Sequence, residues 1–174
     1  RGRHADVQRI GGGGRMTTLQ LGAGIRPLDG AVNHDKTAHH DYIDVAWDLD
    51  IIEWPWPDAS FDKIVALDVM EHLKLDVQQW LDECWRILRP GGQLVLRLPA
   101  FNNPVSWRDP THQRVYHEET FHYWDRSQQL WRDYGSFYFG PGYNKWWVIE
   151  RVERVNPPTL TGDLGYVLRK DGGE

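Results

Sequence analysis

The first hundred residues alternate short apolar runs with segments rich in Gly, Asp and Pro. The apolar runs occupy residues 17–22, 31–34, 43–49, 63–69 and 93–99. Short apolar runs bounded by turn-forming residues are typical of β-strands. The pattern therefore predicts five strands before residue 100.

One segment between the fourth and fifth predicted strands has helical periodicity instead. Its apolar positions recur every three or four residues, at Val77, Trp80, Leu81, Cys84, Trp85 and Leu88. Asp76 is a suitable N-cap, and Arg89-Pro90-Gly91-Gly92 is a stop signal. We predict a helix over 76–88, with Cys84 on its buried face and the fifth strand following at once.

The chain after residue 100 has a different character. A loop rich in His, Pro and Trp precedes a predicted helix over 118–134 and two predicted strands, 145–155 and 163–169. These two strands either close the sheet as an antiparallel pair or form a lid. Because loops at the ligand edge of a sheet commonly carry specificity, we expect residues 101–135 to lie on the substrate side.

The predicted order is a strand, a glycine turn, further strands, a capped helix and another strand. This order predicts an α/β fold, in which a single domain forms a sandwich around an open sheet. Ligands of such sheets bind at the carboxyl ends of the strands. The length of 174 residues, with 40% apolar residues, suits one domain. We expect that domain over residues 16–174, and a flexible leader or extension over 1–15, which holds four consecutive glycines.

Composition narrows the choice of partners and location. The formal net charge is −5 and the sequence has no run of Lys or Arg, so no nucleic-acid partner is expected. The single cysteine, and the absence of any long apolar run or signal-like start, predict a cytoplasmic protein without a membrane segment. Most of the ten Trp are expected in the core, with one or two in a substrate pocket. The oligomeric state is left open.

Candidate chemistry begins at the turn Gly22-Ala23-Gly24, which follows the first predicted strand. Glycine lets the backbone turn sharply and approach a ligand closely. A dinucleotide-binding fingerprint would need a third glycine where Pro27 stands, so a pyrophosphate ligand is disfavoured. A plain turn between a strand and a loop is the alternative.

Acidic residues end the next two predicted strands. Asp35 is placed to accept hydrogen bonds from the hydroxyls of a ribose. Asp48, with the free backbone amide of Leu49, is placed to meet an adenine. A glycine turn and two acids at three successive strand ends predict a nucleoside ligand rather than solvated strand ends alone.

Several motifs in this order resemble the class I S-adenosylmethionine-dependent methyltransferases, and most closely the small type 11 group. They are LQLGAG at 19–24, VNHD at 32–35, DL at 48–49, PWPDASFD at 55–62, VMEHL at 69–73 and LRPGG at 88–92. The resemblance implies a Rossmann-like sandwich with seven mostly parallel strands, of which the last is antiparallel. It also implies S-adenosylmethionine as the cofactor and S-adenosylhomocysteine as the product.

The resemblance assigns roles to particular positions. The turn Gly22-Ala23-Gly24 would lie beside the methionine part, with Arg26 at its carboxylate. Asp35 would bind the ribose. The residues expected at the adenine are Asp48 and Leu49, and those expected near the sulfonium are Asp68 and Val69.

Two features of the sequence depart from common family patterns. The connections between the first three predicted strands are too short for full helices. The Asn/Asp-Pro-Pro-Tyr/Phe signature of base N-methyltransferases is replaced by Leu67-Asp68-Val69-Met70, so methylation of DNA amino groups is not expected.

The segment 107–117 concentrates titratable residues just beyond the fifth predicted strand. His112 is the first candidate for a general base, with Asp109 to orient it. His72 and Glu71 are alternatives. Asp109 and His112 could equally form only a local turn.

No metal is expected from this segment. The histidines and acid that were considered as ligands are Asp109, His112, His117 and His122. Their spacing matches no standard zinc pattern, and no cysteine joins them.

The expected function is methyl transfer from S-adenosylmethionine to an oxygen or nitrogen of a small-molecule acceptor. One alternative is a non-catalytic S-adenosylmethionine-binding regulatory module. Another is a protein or peptide methyltransferase that docks its substrate on the aromatic C-terminal half. An NAD-dependent oxidoreductase is opposed by Pro27.

Overall fold

A computed structural model describes residues 16–155 and 162–172. The expected leader over 1–15 lies outside these residues. The strands are β1 (Thr18–Leu21), β2 (Val32–Asp35), β3 (Val45–Ala46), β4 (Phe61–Leu67), β5 (Leu88–Leu98), β6 (Trp147–Val155) and β7 (Asp163–Lys170). The α-helices are α1 (Val77–Ile87), α2 (Val105–Arg108) and α3 (Gln129–Tyr138), and two 3₁₀ turns cover Met70–His72 and Thr120–Trp124.

The seven strands of the described chain form one sheet in the order β3-β2-β1-β4-β5-β7-β6. Strands β1 to β5 are parallel to one another, whereas β7 runs antiparallel to both β5 and β6. The fold expected from the sequence is confirmed, including the antiparallel last strand. The C-terminal pair completes the sheet, since Tyr166 of β7 pairs with Leu96 of β5.

Helix α1 agrees closely with its predicted bounds. The Asp76 carboxylate accepts a hydrogen bond from the backbone amide of Gln78 at 2.8 Å, which caps the helix. Cys84 is fully buried, as its helical position predicts. Strand β5 starts earlier than expected, at Leu88, because Leu88 already pairs with Phe61 of β4. Regular pairing resumes at Gln93 with Lys63, so the Pro-Gly-Gly segment forms an irregularity within the strand.

The connection from β1 to β2 contains no helix, and two buried side-chain amides hold it in place. Gln20 donates to the carbonyl of Arg26 at 2.9 Å and accepts from the amide of Leu28 at 2.6 Å. Asn33 on β2 accepts from the same Leu28 amide at 3.0 Å. These amides satisfy backbone groups that a helix would otherwise pair, so the loop stays close to the strand ends.

The predicted helix over 118–134 is wrong. The chain forms the 3₁₀ turn Thr120–Trp124, breaks at Asp125, and resumes as α3. The buried Asp125 carboxylate accepts from the amide and hydroxyl of Ser127 at 2.9 and 2.7 Å. It also accepts from the amide of Ile149 on β6 at 2.9 Å. These bonds fix a turn where a continuous helix would need its own hydrogen bonds.

The core lies between the sheet and α1. Several Trp contribute to it, and Trp54, Trp56, Trp80 and Trp147 are almost fully buried. Trp107 is the opposite case, with 70% of its surface exposed. Among the described residues, no helix has the length and apolar character needed to cross a membrane.

Candidate active site

The glycine turn at the carboxyl end of β1 combines a tight contact with an open face. Gly22 and Gly24 have φ angles of +63° and +53°, which favour glycine. A Cβ on Gly22 would come within 2.5 Å of Cγ2 of Val69. A Cβ on Gly24 would meet no atom within 4 Å, so space for a ligand remains beside the turn.

Asp35, the last residue of β2, is tied directly to this turn. One carboxylate oxygen accepts from the amide of Gly24 at 2.7 Å, and the other accepts from the amide of Lys36 at 2.7 Å. A carboxylate has about four lone-pair sites, so it can still accept hydroxyl hydrogen bonds. The geometry suits binding of a ribose next to the turn.

His34 is a structural member of the site that the sequence reasoning missed. It is buried beneath the turn, and its Nε2 lies 2.9 Å from the carbonyl of Trp47. The carbonyl can only accept, so Nε2 carries the hydrogen and Nδ1 faces the amide of Gly22 at 3.4 Å. Burial lowers the His34 pKa and favours this neutral form. One side chain thereby joins the ends of three strands.

A cavity of about 330 Å³ opens at these strand ends. It is lined by six of the nine residues predicted to bind the cofactor, namely Gly22, Asp35, Asp48, Leu49, Asp68 and Val69. Of the other three, Ala23 is buried, Gly24 is half-buried at the end of the turn, and Arg26 lies exposed beyond it. The role of Arg26 stays a prediction.

The part of this cavity next to Asp48 holds a charge pair that the sequence did not predict. The Asp48 carboxylate accepts from Nζ of Lys36 at 2.9 Å, and this hydrogen bond lowers the pKa of Asp48. The Trp47 side chain also lines the cavity. An aromatic ring and a fixed carboxylate are groups that can recognise a planar base with an amino donor.

Asp68 occupies the junction between this cavity and a second one. Its φ is +57°, a left-handed conformation that is uncommon outside glycine. Arg97 on β5 forms an ion pair with its carboxylate and accepts a backbone hydrogen bond from its amide at 2.9 Å. The strained backbone of Asp68 is therefore stabilised by its contacts with Arg97 on the neighbouring strand.

The second cavity, of about 470 Å³, lies on the other side of Asp68. All three residues predicted for catalysis, His72, Asp109 and His112, line it. Asp68 and His72 line both cavities, so the two spaces adjoin there.

Hydrogen bonds to backbone carbonyls hold the loop around His112 against the 3₁₀ turn Met70–His72 and the residues that follow it. The amide of Gln113 donates to the carbonyl of Glu71 at 2.7 Å. Arg114 donates to the carbonyl of Leu75 at 2.8 Å. These bonds bring side chains about forty positions apart in sequence to one cavity wall.

Hydrogen bonds define the tautomer of His72. The Thr111 hydroxyl donates its one hydrogen to Asp109 at 2.7 Å. Its oxygen can therefore only accept from Nδ1 of His72, 2.8 Å away. Nε2 of His72 is left with a lone pair. Burial lowers the His72 pKa, as does the charge His112 would carry, so the neutral ring is favoured.

His112 is held by a different partner from the one expected. Its Nδ1 lies 3.1 Å from the carbonyl of Ser106, which can only accept, so this nitrogen carries the hydrogen. In the neutral ring the lone pair is therefore on Nε2, which lies 3.9 Å from Asp109, beyond hydrogen-bond reach. Asp109 orients His72 through Thr111, while a backbone carbonyl orients His112.

Glu71 is almost fully buried, with 1% of its surface exposed, and its Oε2 has no hydrogen-bond partner. Burial raises its pKa to about 8. One donor atom from each of Glu71, His72 and His112 lies within 4.8 Å of the others, a grouping found once in the described part of the chain. Sequence reasoning named these residues separately, and their convergence depends on loop placement.

The other histidines considered as ligands from the sequence lie elsewhere. His117 has the carboxylates of Glu118 and Glu119 at 3.5 and 3.9 Å. His122 belongs to the 3₁₀ turn Thr120–Trp124 and lines neither cavity.

A seven-stranded sandwich with a glycine turn and acids at its strand ends defines a nucleoside-binding Rossmann-like domain. The chain belongs to the methyltransferase domain family, whose sequence model matches residues 10–96, half of the chain. The recognition as a class I S-adenosylmethionine-dependent methyltransferase is confirmed, and S-adenosylmethionine is the cofactor of this class. The match ends before the loop that carries Asp109 and His112.

Two curated relatives align with a short part of the chain. An S-adenosylmethionine-dependent methyltransferase from Mycolicibacterium smegmatis is 47% identical over 49 residues, 28% of this chain and 19% of the relative. The 27-O-demethylrifamycin SV methyltransferase of Amycolatopsis mediterranei is 45% identical over 47 residues, 27% of this chain and 17% of the relative. The aligned part of the chain spans less than a fifth of either relative.

A solved structure shares the fold over most of both chains. The S-adenosylmethionine-dependent methyltransferase from Mesorhizobium loti superposes with a TM-score of 0.55 at 16% identity, covering 88% of this chain and 90% of that one.

Proposed function

We propose that the protein transfers the methyl group of S-adenosylmethionine to an oxygen or nitrogen atom of a small-molecule acceptor. The observation that carries the proposal is the pair of cavities that adjoin at Asp68 and His72. Methyl transfer needs a cofactor and an acceptor held in line within about 3 to 3.5 Å of each other. Two adjoining spaces, one for each molecule, support that arrangement.

In the first cavity, the cofactor's methionine part lies against the turn Gly22-Ala23-Gly24, with Arg26 at its carboxylate. Asp35 binds the ribose hydroxyls. The adenine lies between Asp48, the amide of Leu49 and the ring of Trp47. The fit is supported by the open space beside Gly24 and by the position of Asp35 one hydrogen bond from that turn.

The sulfonium end of the cofactor lies near Asp68 and Val69. Because Arg97 already neutralises Asp68, that carboxylate acts mainly by shaping the passage between the cavities. Val69 packs against Gly22 and so fixes the position of the glycine turn.

The second cavity takes the acceptor. Its volume of about 470 Å³ suits a small molecule, and its lining is rich in hydrogen-bonding groups. The rifamycin methyltransferase among the relatives acts, by its name, on an oxygen of a small molecule, which favours an acceptor of this class.

His112 is the proposed general base. Its Nδ1–H is held by the Ser106 carbonyl, so Nε2 presents a lone pair to the acceptor cavity. In the reaction, a lone pair of the acceptor atom forms the new bond to the methyl carbon as the bond to sulfur breaks. The sulfur keeps that electron pair and S-adenosylhomocysteine leaves, while the acceptor's proton passes to the imidazole. His72 lies 4.7 Å away, ring centre to ring centre, and supplies a second lone pair.

Incubation with S-adenosylmethionine labelled in its methyl group tests the proposal. With a small-molecule extract, label should enter low-molecular-mass products, and H112Q should reduce the rate. The exposed aromatic side chains of α3, Tyr134, Phe137 and Tyr138, are the surface that a protein substrate would use. Label found only in protein would show that the acceptor is a protein and not a small molecule. Binding of S-adenosylmethionine without any methyl transfer would favour a non-catalytic regulatory module. The expected cytoplasmic location and absence of nucleic-acid partners stay proposals from the sequence.

A further inference from the structure

Three potential metal ligands meet in the wall of the acceptor cavity. Glu71 and His72 come from the 3₁₀ turn after β4, and His112 comes from the loop after β5. One donor atom from each lies within 4.8 Å of the other two. Ligands about 2.0 to 2.3 Å from one ion lie up to roughly 4 Å apart, so small side-chain adjustments bring these atoms to one centre.

Both histidines are prepared for ligation by their outer hydrogen bonds. A metal-binding imidazole characteristically donates its second N–H to a carbonyl, a carboxylate or water, which fixes the tautomer. His112 donates to the carbonyl of Ser106. His72 donates to Thr111, whose hydroxyl donates in turn to Asp109. In the neutral form of each ring, the lone pair is therefore on Nε2.

Glu71 supplies an independent observation. Only 1% of the residue's surface is exposed and it lines the same cavity, yet its buried Oε2 has no hydrogen-bond partner. A buried polar group without a partner costs folding free energy and calls for a physical explanation. A cation between Glu71 and the two imidazoles would satisfy this oxygen.

We infer that Glu71, His72 and His112 bind one divalent transition-metal ion of the zinc class at the acceptor cavity. Two imidazole nitrogens and one carboxylate oxygen are a zinc ligand set, whereas Mg²⁺ and Ca²⁺ prefer oxygen ligands alone. Three protein ligands leave at least one coordination position open, as in catalytic rather than structural zinc sites.

The metal's role in catalysis rests on the proposed function, whereas metal binding itself does not. An acceptor hydroxyl bound at the open position would lose its proton to solvent more easily, since zinc lowers the pKa of a bound O–H. The resulting oxygen lone pair forms the bond to the methyl carbon, and the electron pair of the breaking bond stays on sulfur. With metal bound, His112 serves as a ligand and the proton goes to solvent instead of to its ring.

A competition titration tests the site without cofactor or acceptor. Chelator-treated protein is titrated with Zn²⁺ against a chromogenic chelator, and with Co²⁺ while visible absorption is recorded. We expect one ion per chain, with a Co²⁺ spectrum of four or five ligands. E71Q and H112Q should each lose more affinity than the roughly 10- to 100-fold that an outer partner is worth.

H122Q is the matched control, because His122 was considered as a ligand from the sequence but lines neither cavity. Its affinity for Zn²⁺ should equal that of the wild type. Stoichiometric binding that survives both E71Q and H112Q, or no binding by the wild type, would overturn the inference.

Titration of the same proteins with S-adenosylhomocysteine separates the two proposals. Glu71 and His112 do not line the first cavity, so E71Q and H112Q should bind S-adenosylhomocysteine as the wild type does. This binding also reports that the variants are folded. A protein that binds S-adenosylhomocysteine but no Zn²⁺ contradicts the metal site alone, and one that binds Zn²⁺ but no S-adenosylhomocysteine contradicts the proposed function alone.

Discussion

Gly22 lies so close to Val69 that a Cβ on Gly22 would come within 2.5 Å of Cγ2 of Val69. The first residue of the glycine turn is therefore packed against the segment that follows β4. This contact sets the position of the backbone that the cofactor must approach, which explains why glycine is needed there for reasons beyond its φ angle.

G22A should lower both the free energy of unfolding and the affinity for S-adenosylhomocysteine. The left-handed φ costs about 1 to 3 kcal/mol, and the clash with Val69 adds to it. G24A is the matched control, since it has a similar φ but open space at the Cβ position. Chemical denaturation should give G22A a lower free energy of unfolding than G24A. The double variant G22A/V69A should recover part of the stability that G22A loses. Equal stabilities of the two single variants would refute the packing argument.

D35N should weaken S-adenosylhomocysteine binding by about 1 to 3 kcal/mol, because the ribose hydroxyls lose a charged acceptor. The amide oxygen of Asn can still accept from Gly24, so the turn should persist. D133N, on the surface of α3, is the control and should bind normally. Calorimetry measures both, and an unchanged dissociation constant for D35N would remove Asp35 from the ribose site.

T111V should reduce turnover by about 10- to 100-fold, the usual effect of losing an outer partner of an imidazole ligand. Valine keeps the shape but removes the hydroxyl that links His72 to Asp109. T111S retains that hydroxyl and should restore most of the rate. If T111V and T111S have the same rate, Thr111 does not position His72.

Chelator treatment should lower the methyl-transfer rate of the wild type, and added Zn²⁺ should restore it. H112Q should stay slow in both states, because it lacks one of the three proposed ligands. The comparison is made at saturating S-adenosylmethionine, so that differences in rate do not come from differences in cofactor binding. A wild-type rate that is indifferent to both chelator and Zn²⁺ would leave His112 as a simple base.

D125A should lower the free energy of unfolding by about 1 to 3 kcal/mol, because the half-buried amide of Ile149 and the amide of Ser127 lose their acceptor. D133A tests a surface aspartate on the neighbouring helix and should have little effect. Urea denaturation distinguishes them. Equal midpoints for the two variants would show that Asp125 does not hold the break before α3.

The break at Asp125 is a feature that the sequence pattern does not predict. The helix over 118–134 looked continuous because its pattern is local, whereas the break depends on Ile149, 24 positions away. By contrast, α1 was predicted well because its cap and its apolar face lie within one segment. Features that depend on neighbouring residues can be predicted from the sequence, whereas hydrogen bonds between distant residues cannot.

The same distinction runs through the candidate site. The glycine turn, Asp35 and Asp48 each end a strand, so the parallel topology brings them together once the strands are known. Glu71 and His112 meet through long-range contacts, such as the hydrogen bond from the Gln113 amide to the Glu71 carbonyl. The buried His34 and the cation Arg97 carried no spacing signal that pointed to their partners.

Calorimetric titration of the wild type with S-adenosylhomocysteine, and in parallel with NAD, tests the central claim most directly. The account predicts one site for S-adenosylhomocysteine, weakened by D35N and unaffected by E71Q, and no binding of NAD. Binding of NAD alone, or no binding of S-adenosylhomocysteine by folded protein, would contradict it.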